Sequence, residues 1–248
     1  MSFDPLQIPA LLNYDAAVDW PDRLEREGPF LLRALARAPS QRVLDLGCGT
    51  GEHARWLAQQ GFAVVGIEGV KERWEVATAL APANVEHLLG DFGAVEAMVR
   101  GHFGAAICLG NTLPAVIGVE ALSRMLVGLR RRLRPGGIFV AQLLNYDRLA
   151  QQGSTELPER RLSQGGAELV FRTALAFEAD GVVGITETVH QREGQLLHRR
   201  QRHQQAWRHD QLLTLLDVAR FPTIETFGGF AGEPFDRERS EDLVLVAT

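Results

Sequence analysis

Glycines and carboxylates in the first hundred residues are spaced for chemistry. The run VLDLGCGTG, Val43 to Gly51, joins a short apolar stretch to an amphipathic one. Gly47, Gly49 and Gly51 let a backbone turn sharply and approach a ligand with no side chain between. The helix expected next aims its unsatisfied N–H groups at the same place. Dinucleotide-binding enzymes use such a turn too, but their third glycine would fall where this chain has Glu52. A carboxylate there opposes a pyrophosphate and suits a cation. One strand–helix unit later, Glu68 closes the run VVGIE. At the end of a second strand its carboxylate can accept both hydroxyls of an adenosine ribose. Asp91-Phe92, after the third apolar run, offers a carboxylate for an exocyclic amine and a ring face for adenine. Phe92 taken alone reads equally well as core.

These groups need a scaffold, and the pattern supplies one. Arg42–Leu46, Phe62–Glu68, Val85–Leu89, Ala105–Leu109 and Ile138–Leu144 are short, largely apolar runs. Runs of that length suit strands buried on both faces of a parallel sheet. Leu122, Met125, Leu126, Leu129 and Leu133 share one helix face, and Pro135-Gly136-Gly137 is expected to end that helix. Alternation of this kind predicts βαβ units and a doubly wound α/β fold. Residues 1–40 read as a helical lead-in, with Leu24, Leu31, Leu35 and Ala38 on one face. Beyond Leu149 the period becomes two: Leu169, Phe171, Thr173, Leu175 and Phe177 alternate with mostly smaller or polar residues. Ala179-Asp180-Gly181 and Glu193-Gly194 are turn signals around the β-rich run Val182–His190, and a polar run ends at Trp207. An antiparallel meander inserted into the α/β domain is the expectation. A last helix (Leu212, Leu215, Leu216, Ala219) and the runs Thr223–Phe227 and Leu243–Ala247 close the chain. The organisation expected is one domain over 1–248: lead-in 1–40, ligand-binding core 41–150, β insertion or cap 151–208, and closing helix and strands 209–248.

Composition narrows the function classes. The net charge of −5 disfavours nucleic acid and anionic membranes as partners. The cluster Arg130-Arg131-Arg132 reads as complementing a helix dipole. His198-Arg199-Arg200 has too few aromatics nearby for a base-stacking platform. No apolar run approaches the ~20 residues of a membrane span, and the start MSFDPLQIPALLNYD lacks a secretory pattern. Cys48 and Cys108 show neither metal nor disulfide spacing, and the seven histidines show no metal spacing. A cytoplasmic protein without a bound metal is expected.

In order and spacing these residues resemble class I S-adenosylmethionine-dependent methyltransferases. The resemblance runs from about residue 13 to the end of the chain and is most specific from Val43 to Asp147. It is nearest the glycine/sarcosine N-methyltransferase-like branch of small-molecule enzymes. That narrower match lies in ICLGNTLP (Ile107–Pro114), LRPGG (Leu133–Gly137), Asn145-Tyr146-Asp147 and VDWPDRLEREGPF (Val18–Phe30). The resemblance implies a Rossmann-like, mostly parallel sheet with an antiparallel last strand and an inserted antiparallel β cap. It implies S-adenosyl-L-methionine as cofactor and S-adenosyl-L-homocysteine as product, in the EC 2.1.1 class. Asp45, Gly47, Cys48, Gly49 and Gly51 would cradle the cofactor. Glu68 would hold its ribose and Asp91 and Phe92 its adenine, with Gly69 and Leu109 also binding the cofactor. Arg23 stands where the branch places the arginine for the cofactor carboxylate, a group suited to a guanidinium fork; a surface arginine is the alternative. Asn111, after the fourth strand, would orient an acceptor together with Tyr14, Asn145 and Tyr146.

One departure bears on the acceptor. Where glycine N-methyltransferase carries an arginine for the substrate carboxylate, just before the Asn-Tyr-Asp run, this chain has Leu144. The expectation is a small-molecule acceptor other than glycine, with N- or O-methylation left open. The chemistry is an in-line displacement in which the protein orients and desolvates. Alternatives are a non-catalytic S-adenosylmethionine-binding module and a nicotinamide-dependent oxidoreductase. The β insertion offers a route to a homo-oligomer.

Overall fold

The computed structural model describes residues 18–153, 155–164, 167–191 and 194–248. The apolar runs form the strands that the sequence predicts, because each loses water from both faces. β1 (Arg42–Leu46), β2 (Ala63–Glu68), β3 (Val85–Leu89), β4 (Phe103–Cys108) and β5 (Leu133–Leu144) lie parallel in one sheet. β12 (Asp242–Ala247) runs antiparallel to β5, and β11 (Ile224–Phe227) pairs outside it. The order across the sheet is β11-β12-β5-β4-β1-β2-β3. It reverses direction between β1 and β4, where α/β proteins open a crevice at the strands' carboxyl ends.

Helices cover both faces. α1 (Trp20–Leu35) and α2 (Glu52–Gln59) bury Leu31, Leu35, Ala54 and Leu57 against Val43, Val64, Ile107 and Val140. α3 (Lys71–Ala79) places its buried Ala77 beside Gly51 on that side. α4 (Val95–Met98) and α5 (Val119–Arg132) occupy the other face. There Leu122, Met125, Leu126 and Leu129 meet Leu44, Ala106 and Phe139. α5 ends at Arg132, before the proline–glycine run. That run lies inside β5, where the register with β4 jumps from Phe103↔Leu133 to Ala105↔Ile138. α1 starts at Trp20 and stops at Leu35, so Ala38 packs on the core from beyond the helix rather than from its face.

After α6 (Tyr146–Gln152) the chain builds a second, antiparallel sheet. β8 (Ala167–Phe177), β9 (Val182–Gln191) and β10 (Leu196–Gln205) are the three runs of the predicted meander. β6 (Thr155–Glu156) and β7 (Arg160–Gln164) pair with β8 as well. Sequence patterning passed over them because they are short and polar. Leu175, Val183, Ile185 and Trp207 join the same apolar cluster as α5, fastening this sheet to the first. α7 (His209–Val218) returns the chain to the edge strands.

Candidate functional site

At the carboxyl end of β1, the turn is built from backbone. Gly47 and Cys48 N–H groups both donate to the Ile67 carbonyl, at 2.8 and 3.0 Å. Gly47 has φ +71°, and a Cβ there would strike the Thr112 side chain, so only glycine fits. Glu68 grips the turn from β2. Its Oε2 accepts from Gly49 N at 2.9 Å and its Oε1 from Val70 N at 2.8 Å. Each oxygen keeps a further lone pair for a ligand. Gly51 caps α2 in a left-handed conformation, and Glu52 pairs with Arg55 at 2.5 Å, so its charge is partly matched within the helix.

Beneath the turn lies Asp45, 3% exposed, whose Oδ2 has no partner among the described residues. Burial pushes its carboxyl up to about 6; Glu68 adds to the rise while His53 and Arg23 oppose it. α1 brings a charged cluster over this carboxylate. Arg23 Nε donates to Glu27 Oε1 at 2.7 Å, and Glu27 Oε2 meets His53 Nε2 at 2.7 Å. The Trp20 ring lies 4.9 Å from the Arg23 guanidinium carbon and meets His53 edge-on. Burial acts to raise the Glu27 carboxyl, but His53 and Arg23 together hold it below the usual range. The guanidinium reaches across to β4's end, where a Cβ on Gly110 (φ +68°) would stand 3.3 Å from Nη2.

A neutral cluster follows. Gln142 of β5 accepts from Gly110 N at 2.8 Å through its side chain and donates to Asp242 Oδ1 at 2.9 Å. Asn111 is left-handed at φ +58°, and its Oδ1 accepts from Leu144 N at 3.1 Å. Its Nδ2 donates to the Tyr146 hydroxyl at 3.0 Å and to Gln204 Oε1 of β10 at 3.3 Å. Burial raises the Tyr146 hydroxyl above its ordinary value, against the Asn111 bond and the Arg202 charge.

The structure brings Arg23, Asp45, the glycine turn, Glu68 and Asn111 to one end of the parallel sheet. Leu109 is buried there, its carbonyl accepting from Thr112 Oγ1 at 2.7 Å, and Cys48 is buried within the turn. Gly69 and Asp91 lie exposed at the ends of β2 and β3, Asp91 also accepting from Gly93 N at 2.7 Å. Phe92 packs in the apolar core at 8% exposure, the arrangement its residue type alone allowed. Asn145 is committed elsewhere: its Nδ2 holds the Asp236, Arg237 and Ser240 carbonyls. Tyr14 lies outside the described residues. Sequence reasoning missed Glu27, His53, Gln142 and Gln204. Glu27 had one signal, standing four residues after Arg23; nothing local marked the others.

Residues 43–137 match the methyltransferase-domain family. Over this stretch the chain is similar to known methyltransferase domains. A glycine/sarcosine N-methyltransferase from Parasynechococcus marenigrum is 34% identical over 57% of this chain and 51% of its own length. Human glycine N-methyltransferase is 34% identical over 50% of this chain and 48% of its own. The chain thus spans about half the length of the curated relatives it matches. Among solved structures, the CcbJ methyltransferase of Streptomyces caelestis superposes with a TM-score of 0.73 at 24% identity, covering 90% of this chain and 88% of that one. CalS10, an amino pentose methyltransferase from Micromonospora echinaspora, gives 0.71 at 17% identity, covering 100% and 98%. The methyltransferase fold therefore extends through the antiparallel sheet. Among the described residues, no helix is long and apolar enough to cross a membrane, and no three metal-ligating side chains cluster.

Proposed function

We propose that this chain transfers a methyl group from S-adenosylmethionine to the nitrogen of a small, neutral acceptor. The observation that carries the reading is Asp45 beside Arg23: an anion with an unpartnered buried oxygen next to a cation, the pair that a zwitterionic amino-acid tail requires. Arg23 would take the cofactor carboxylate, Asp45 its ammonium, Glu68 the ribose and Asp91 the adenine amine. Gly47, closed to a side chain by Thr112, and Gly110, whose φ of +68° disfavours one, leave room for the backbone to line the cofactor. Bound there, S-adenosylmethionine supplies a methyl group already activated by sulfonium charge. The chain's own share is alignment and exclusion of water.

The Asn111 cluster stands where an acceptor would sit. Its members are two amides and a phenol whose ionisation burial opposes. That set suits an amine bound without its proton, because a hydroxyl would need a base to remove one. Leu144 offers no cation to a carboxylate, Arg172 is paired with Glu159 at 2.6 Å, and Arg202 with Glu187 at 3.1 Å. A buried carboxylate without a cationic partner costs several kcal/mol to desolvate. The decisive experiment is a labelled-methyl transfer assay comparing glycine and sarcosine with uncharged amines, amino sugars and hydroxylated aromatics. Saturable turnover of an uncharged amine is expected. Efficient turnover of glycine overturns the acceptor class, and failure to bind S-adenosylmethionine overturns the whole reading.

A further inference from the structure

We propose that Gln204, contributed by the antiparallel sheet, is a positioning residue that fixes which end of the Asn111 amide faces the acceptor. The inference rests on the acceptor role assigned to Asn111 above. It follows from accounting for hydrogen-bond capacity. Asn111 carries two side-chain protons, on Nδ2. One goes to the Tyr146 hydroxyl at 3.0 Å and the other to Gln204 Oε1 at 3.3 Å. Tyr146, having accepted from Asn111, donates its own proton to the same Gln204 oxygen at 3.4 Å. A carbonyl oxygen has two lone pairs, and here two donors use them. Gln204 Nε2 donates to the Asn111 main-chain carbonyl at 3.5 Å, leaving the side-chain oxygen out of the exchange. Gln204 is 4% exposed and Tyr146 1%, so water competes little for these bonds.

Reversing the Asn111 amide would set its NH2 against Leu144 N–H and its oxygen against the Gln204 lone pairs. Leu144 on one side and Gln204 on the other therefore allow one orientation. In that orientation the amide's spare capacity is a lone pair on Oδ1. The group left for an acceptor molecule is hydrogen-bond accepting, and it favours molecules that bring an N–H or O–H. The placement of Gln204 is imposed by the fold. Its neighbour Gln205 donates to Asp180 O at 2.9 Å and accepts from Gly118 N at 3.2 Å, and Trp207 Nε1 donates to Val116 O at 3.0 Å. The end of β10 is thereby pinned to the core by bonds other than those of Gln204 itself.

Nitrogen labelling of asparagine tests this in the full chain, which holds four: Asn13, Asn84, Asn111 and Asn145. The Asn111 side-chain signal, assigned by its loss in Asn111→Ala, should show slow hydrogen exchange in the wild type. Gln204→Met should speed that exchange at least tenfold. Gln204→Asn, which keeps the amide but shortens its reach, should do the same should the methionine variant fail to fold. Gln204→Glu at pH 8 should restore the protection, since a carboxylate still accepts from both donors. Unchanged exchange in folded Gln204→Met or Gln204→Asn overturns the proposal. So does equal loss in Gln204→Glu, because the side chain would then only fill space. Calorimetric affinity for S-adenosylhomocysteine should stay within twofold in the Gln204 variants. A wild type that fails to bind it refutes the proposed function and leaves the exchange result to stand by itself.

Discussion

Glu68 Oε2 receives the Gly49 N–H at 2.9 Å, so the carboxylate assigned to a ribose also holds the glycine turn in shape. Turn geometry and ligand contact are one group's work. Glu68→Ala should therefore weaken S-adenosylmethionine binding at least tenfold and also lower the melting temperature. Each bond to the charged group is worth roughly 1.5–3 kcal/mol. Glu68→Gln should recover only part of this, since its NH2 must face either Gly49 N–H or Val70 N–H. Calorimetric titration beside a thermal melt reads both effects; wild-type affinity in Glu68→Ala would remove the residue from the site.

Removing Arg23 should separate ligands by whether they carry a carboxylate. Arg23→Ala is expected to weaken S-adenosylmethionine and S-adenosylhomocysteine alike, by tenfold or more, and to spare methylthioadenosine. Equal losses for all three would mean that the change acts through Glu27, which loses a buried partner and in turn holds His53, rather than through the ligand.

Asp45 should make stability depend on pH against the habit of most carboxylates. Burial holds its folded pKa at about 6, above its ordinary 3.8. The protonated form favours folding, so its contribution is complete below about 4, declines as pH rises to about 6, and is then flat. Two units correspond to about 3 kcal/mol. Asp45→Asn should accordingly gain stability over the wild type as pH climbs through that window, and bind S-adenosylmethionine more weakly. Wild-type affinity should rise over the same window as the carboxylate ionises. Melts and titrations at pH 4, 5, 6 and 7 check both. Parallel stability curves for the two proteins would contradict the assignment.

What the sequence made legible follows from which forces are local. Strands buried on both faces must be apolar along their length, so β1 to β5 stand out. β6 and β7 carry polar residues at the margin of a second sheet, and nothing in Thr155-Glu156 or the arginines of β7 distinguishes them from loop. The glycine turn and Glu68 lie 19 residues apart within one βαβ unit, a spacing that patterning can read. Gln204 lies 93 residues from Asn111, in a run whose polarity described a solvated strand. Glu27 pairs with Arg23 at helix spacing, ordinarily a surface arrangement. Only the docking of α2 and His53 over it makes the pair buried. Asn145 shows the converse: a residue identified by resemblance whose side chain is spent on three loop carbonyls.

That last point yields its own test. Asn145→Ala leaves three half-buried loop carbonyls and the Arg148 N–H without their partner, which should cost about 1–3 kcal/mol. Affinity for S-adenosylhomocysteine should be unaltered. A denaturant melt and a titration separate the two, and an affinity loss without destabilisation would place Asn145 at the ligand instead.

The junction between the two sheets has a consequence for divergence. The groups assigned to the cofactor come from the lead-in helix and the ends of the first four strands, whereas Gln204 arrives from a β segment spliced in after α6. Replacing that segment rewrites the wall presented to the acceptor while Gly49 and Glu68, and Arg23 and Glu27, keep one another as partners. A lineage built this way can trade one acceptor for another by exchanging a single stretch of chain, and the donor half need not adapt with it.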